Sequence, residues 1–125
     1  MRLRNTLFVL ALATLFATAT GHAGPNRLRI AVWPTVSNAP ATVRVRAIIE
    51  PNAENRALLI AADSGSFFRS SYVPISGIDA ATVTETMLKN LPGGDYEISV
   101  VLEDAQGKQT VERRTVTVTS TAPSN

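Results

Sequence analysis

Apolar and polar residues alternate in short runs along most of this chain. Leu28-Arg29-Ile30-Ala31-Val32-Trp33 alternates with period two and stops at Pro34. Residues 42–50 put Val43, Val45 and Ala47 on one face and Arg44 and Arg46 on the other, the pattern of a half-buried antiparallel strand. Residues 56–62 are mostly apolar, a run short enough for a central strand. Residues 67–75 form a weaker strand, and Pro74 points to a sheet edge because it has no N–H to donate. Residues 82–88 read as strand, with Val83 and Met87 on the parity of Glu85. Residues 96–103 alternate most cleanly, with Tyr96, Ile98, Val100 and Leu102 facing in. In the last run, 109–119, Val111 falls on the opposite parity from Val116 and Val118. A straight strand cannot bury both sets, which predicts a β-bulge near Arg113 and Arg114.

Turn residues separate these runs. They are residues 51–55, Asp63-Ser64-Gly65-Ser66, Ser76-Gly77-Ile78-Asp79, Pro92-Gly93-Gly94 and Asp104-Ala105-Gln106-Gly107. The last fits a four-residue hairpin turn with glycine at its end. Short strands at regular spacing predict an all-β fold, a seven-stranded antiparallel sandwich of two sheets about 10 Å apart.

The first residues follow another rule. Arg2 and Arg4 precede an apolar run from Leu7 to Ala17, and Gly21-His22-Ala23 places small residues at −3 and −1 of a cleavage site. That order predicts a cleaved signal peptide over residues 1–23. A membrane anchor needs about 20 apolar residues, more than this run holds, so no stable anchor is expected after cleavage. Cleavage after Ala19 is the alternative. The folded domain is then 24–119, followed by a small polar tail, 120–125, expected to be disordered. The expected location is periplasmic or extracellular.

Composition narrows the function. The 125 residues allow one domain, and none is cysteine. Disulfides, thiolate nucleophiles, zinc-thiolate sites and lipidation at cysteine are therefore excluded. Twelve Lys and Arg stand against ten Asp and Glu, and loss of Arg2 and Arg4 with the signal makes the mature chain neutral. The pairs Arg27/Arg29, Arg44/Arg46 and Arg113/Arg114 read as solvated strand faces, so no nucleic-acid partner is expected. Cleavage also removes His22, the one histidine. The mature chain then lacks a base-activated serine or cysteine nucleophile, and the expectation is that it is not an enzyme. The carboxylate pairs Glu103/Asp104 and Glu50/Glu54 read as strand ends and turn caps. Asp63, Asp79, Glu103 and Asp104 could ligate calcium, yet they lack ligand-loop spacing and read as turn residues. No metal and no cofactor are expected.

The segment Leu91-Pro92-Gly93-Gly94-Asp95-Tyr96-Glu97-Ile98-Ser99-Val100, with the Asp104–Gly107 hairpin after it, resembles a known pattern. It is similar to the corner and following hairpin of bacterial immunoglobulin-like and fibronectin type III-like domains. The resemblance implies a structural corner at Leu91 and Tyr96, with the Tyr96 hydroxyl tied to backbone near residues 90–92. Ile98 and Val45 stand where disulfide-bonded members carry cysteines, and the 56–62 strand has no tryptophan. The cysteine-free bacterial classes fit better.

Apart from Tyr96, the mature chain's aromatic residues are Trp33, Phe67, Phe68 and Tyr72. Exposed aromatics stack on sugars or anchor protein partners. The functional expectation is an exported, non-catalytic immunoglobulin-like module acting by protein association or by structural and adhesive binding. The alternative is a small carbohydrate- or peptide-binding domain using Trp33, Phe67, Phe68 and Tyr72. The expected partner class is thus a protein or a glycan, and the 67–73 edge is the expected route of association.

Overall fold

Two sheets face each other because the alternating runs supply two apolar surfaces. The computed structural model describes residues 27–120. The expected signal peptide, 1–23, and residues 121–125 of the expected tail lie outside the described residues. The strands are β1 (Leu28–Trp33), β2 (Val36–Asn38), β3 (Ala41–Ile49), β4 (Asn55–Asp63), β5 (Phe68–Pro74), β6 (Val83–Leu91), β7 (Gly94–Asp104) and β8 (Gln109–Thr119). A 3-10 turn, Gly77–Asp79, lies between β5 and β6.

One sheet has three strands in the order β1-β3-β6, and the other has five in the order β2-β8-β7-β4-β5. Among the described residues, β4–β5 and β7–β8 are hairpins within a sheet, and the other connections cross between sheets. Such crossings make the core non-local. Val43, Val45 and Ala47 of β3 are fully buried with Leu58, Ile60 and Ala62 of β4 and Ile98 and Val100 of β7.

The expected seven antiparallel strands require correction. The described residues form eight, and the added one, β2, runs parallel to β8 with Val36 beside Thr117 and Asn38 beside Thr119. Three residues between Pro34 and Pro40 are too few to show alternation, so the strand exists only through its partner. Bonds from Thr117 N to Thr35 O and from Ala39 N to Thr119 O, 2.8 Å each, frame it.

The expected bulge at Arg113 and Arg114 is also corrected. The β7–β8 register runs unbroken from Gly94 opposite Val118 to Glu103 opposite Gln109. Val111 stays on the outer face opposite Val101, so the strand has no need to switch parity. Register shifts occur elsewhere, between Ala41 and Val43 in the β3–β6 pair and between Asn55 and Ala57 in the β4–β7 pair. The first adjoins Asn90, whose φ of 59° lies in the left-handed region. Asparagine tolerates that region better than most residues.

The two hairpin turns are built by aspartates. Asp104 Oδ1 accepts from Gln106 N and Lys108 N at 2.9 Å each, and Gly107 closes the turn with φ 83°. Asp63 Oδ1 accepts from Gly65 N at 2.8 Å, with Gly65 at φ 89°. Both glycines adopt a backbone shape that a Cβ would strain.

Candidate functional site

Every second residue of the five-stranded sheet points away from the core. On β4 these are Ala57, Leu59, Ala61 and Asp63, and the register carries each across to its neighbours. Leu59 lies beside Tyr72 of β5 on one side and Val101 of β7 on the other, and Val101 lies beside Val111 of β8. Tyr72, Leu59, Val101 and Val111 therefore form one lateral apolar row across four strands. Tyr72 is 65% exposed and Leu59 43%.

The neighbouring rows differ in kind. Ser70, Ala61 and Ser99 are small and flank the row on one side. Ala57, Glu103 and Gln109 flank it on the other, around a recess of about 50 Å³. Farther out, Phe68 stands beside Asp63 and is 61% exposed. The Arg113–Glu97 pair, at 3.7 Å and open to solvent, closes that corner of the face. Exposed pairs of this kind contribute little to stability and more to partner choice.

The aromatics proposed from sequence as one region are not brought together. Phe68 and Tyr72 share the outer face of the five-stranded sheet. Phe67 precedes β5 rather than belonging to it and is half-buried, its ring edge-on to Tyr96 at 6.4 Å and 81°. Adjacent residues of an extended segment face opposite sides, so Phe67 turns inward and Phe68 outward. Trp33 lies on the outer face of the three-stranded sheet, where Arg44 and Arg46 sit 5.3 and 5.6 Å from its ring centroid. Arg46 also holds Glu85, donating to Oε2 from Nε at 3.1 Å and Nη2 at 2.9 Å. A recess of about 170 Å³ adjoins Trp33, Thr42, Arg44 and Met87.

The corner residues sit at one end of the sandwich. Leu91 and Tyr96 are buried, and the Tyr96 hydroxyl donates to Pro92 O at 2.6 Å. An open groove of about 520 Å³ lies there, lined by Pro40, Phe67, Asn90, Pro92 and Ser120 among others. Among the described residues no three His, Cys, Asp or Glu side chains cluster as a metal site would require.

The alternation at 96–103 already sets Val101 outward, the mostly apolar 56–62 run leaves the side of Leu59 open, and Val111 is the off-parity residue behind the expected bulge. Their off-parity placement was the available clue. In a strand whose neighbours at 58, 60, 100 and 102 face in, residues 59 and 101 must face out.

No family model matches the chain, and no curated protein matches it. Several solved structures share its fold. Superoxide reductase (neelaredoxin) from Ignicoccus hospitalis superposes with a TM-score of 0.59 at 15% identity, over 73% of this chain and 79% of that one. The sulfur carrier protein SoxY from Chlorobium limicola f thiosulfatophilum gives 0.54 at 18% identity, over 86% and 96%. The PmoD soluble domain from Methylocystis sp. ATCC 49242 (Rockwell) gives 0.51 at 12% identity, over 82% and 98%. At these identities the likeness is one of fold, an all-β sandwich. It also corrects the expectation that the chain is not an enzyme, because superoxide reductase is an enzyme on this fold. Lack of a base-activated nucleophile excludes only the chemistry that needs one, and a fold by itself excludes none.

Proposed function

We propose that this chain is an exported immunoglobulin-like β-sandwich that acts by associating with another protein through the outer face of its five-stranded sheet. The observation that carries this reading is the apolar row Tyr72, Leu59, Val101 and Val111, laid across four strands. Solvent gains nothing from such a row. Contiguous apolar surface rimmed by charge is the usual mark of a protein contact. Arg113, Glu97 and Glu103 supply the rim, and Tyr72 has the size and polar tip of an interface anchor.

The immunoglobulin-like assignment draws support from the buried Tyr96 and its bond to Pro92 O, the arrangement of a tyrosine corner. Export draws support from Arg2, Arg4, the 7–17 apolar run and the Gly21-His22-Ala23 site. A protein partner is favoured over a glycan by the state of Trp33, the largest aromatic. Its ring already carries two guanidiniums, which compete with sugar stacking.

A photo-crosslinking side chain in place of Leu59, compared with one in place of Met87 on the other sheet, tests the reading in the producing cells. A discrete protein adduct from position 59 and none from position 87 is the expected result. Adducts confined to position 87, or none at either, would reject the face as an interaction surface.

A further inference from the structure

We infer that the open β5 edge of this sheet pairs with a second copy of the chain, β5 antiparallel to β5 about a two-fold axis at Ser70. The inference rests on the association reading above and adds the partner and its register.

The backbone bonds at the two ends of the β4–β5 hairpin set its alternation. Ile75 N donates to Arg56 O at 2.8 Å, and Ser64 N donates to Phe67 O at 3.0 Å. Hydrogen-bonded pairs alternate with non-bonded ones along an antiparallel ladder. Val73/Leu58, Ser71/Ile60 and Arg69/Ala62 are therefore the bonded pairs within the register. The N–H and C=O groups of Phe68, Ser70 and Tyr72 then point away from β4, as does the carbonyl of Pro74. Among the described residues no strand pairs with that side of β5. Pro74 occupies an outward position, so its missing N–H costs no bond to β4.

The outward groups match a second copy of themselves. In the two-fold register centred on Ser70, Phe68 faces Tyr72 of the second copy, Ser70 faces Ser70, and Tyr72 faces Phe68. Each outward N–H of Phe68, Ser70 and Tyr72 meets a carbonyl. A two-fold centre one residue along, at Ser71, sets Pro74 opposite Phe68 and leaves that carbonyl without a donor. The side chains agree with the backbone. Phe68 and Tyr72 lie on the same outer face, so each copy sets an aromatic pair across the new ladder, a favoured cross-strand combination. Arg69 faces Ser71 of the second copy rather than another charge. Its guanidinium is drawn back over the Phe67 ring at 5.6 Å.

Area sets the strength. Phe68 and Tyr72 are 61% and 65% exposed, so each offers on the order of 100 Å² to be covered. The two copies together bring roughly 400 Å² of exposed aromatic surface to the seam, of which edge-to-edge pairing covers a part. That is below the roughly 1,000 Å² of a stable interface, so the dimer is reversible and concentration-dependent.

The chain has no cysteine, which makes single-cysteine variants clean probes. Ser70→Cys should form a disulfide-linked dimer under mild oxidation, since a residue on the axis meets its own copy within disulfide reach. Ser71→Cys and Tyr72→Cys should not. Sedimentation of the unmodified protein should show a dimer that grows with concentration. Ser70→Pro removes the central outward donor and no β4 bond, so it should weaken the dimer about tenfold or more while leaving the melting temperature near that of the parent. A monomer at every concentration, dimers unaffected by Ser70→Pro, or crosslinking through position 71 or 72 instead of 70 would each overturn the inference. A monomer that still gives adducts to a different protein from position 59 would overturn self-pairing and leave the association reading standing.

Discussion

Val101 of β7 stands directly opposite Val111 of β8, and both side chains lie on the solvent side of the five-stranded sheet. That pairing explains why β8 carries apolar residues on both parities. Val116 and Val118 are buried against the core, while Val111 belongs to the outer row. A cross-strand pair of this type contributes about 0.2–1 kcal/mol. A double-mutant cycle with Val101→Ala and Val111→Ala in denaturant melts should return a coupling in that range. Zero coupling would contradict the register.

Leu58 and Leu59 are neighbours in sequence with opposite fates. Leu58 is fully buried and Leu59 is 43% exposed. Leu58→Ala should cost about 2–5 kcal/mol, the range for an enclosed leucine. Leu59→Lys should change stability by about 0.5 kcal/mol or less, as surface changes do, while lowering association through the outer face. Thermal melts and crosslinking yields separate the two effects.

The Tyr96 hydroxyl bonds Pro92 O at 2.6 Å. Tyr96→Phe keeps the ring and its edge contact with Phe67 but leaves the carbonyl unpaired, for an expected loss of about 0.5–1.5 kcal/mol. Tyr96→Ala also empties the ring's space and should cost about 3–5 kcal/mol. Urea unfolding of both variants checks the order. Equal losses would assign the corner's whole value to the bond, and no loss in Tyr96→Phe would assign it to packing.

Asp104 organises the β7–β8 hairpin through two backbone donors, Gln106 N and Lys108 N. Asp104→Ala removes both acceptors and should cost about 1 kcal/mol. Asp104→Asn retains an acceptor oxygen and should recover most of it. Amide exchange at Gln106 and Lys108 should quicken in the alanine variant and stay slow in the asparagine one.

The Arg46–Glu85 pair is partly exposed, with side chains 46% and 39% open. A double-mutant cycle should give a coupling of about 0.2–1 kcal/mol that falls as salt is raised. Persistence at high salt would mean that the two hydrogen bonds to Glu85 Oε2, rather than the screened charge, carry the coupling.

Strand identity and inward parity were written in the sequence wherever alternation ran long enough. β3 and β7 are the clearest cases, because a period of two survives any choice of partner. The turns at 63–66 and 104–107 were legible for a local reason, an aspartate acceptor followed by a glycine. What the tertiary structure decided was pairing. β2 is a strand only because Thr117 and Thr119 stand beside it. That Phe67 and Phe68 face opposite ways was legible; which of them faces in was set by the offset of β5 against β4. Trp33 met its two arginines only once β1 lay beside β3. The outer row could not be read from one strand either, since Tyr72, Leu59, Val101 and Val111 come from four separate runs. Period-two patterning tells each strand which side is apolar. Which strands lie side by side, and at what offset, depends on contacts between residues distant in sequence.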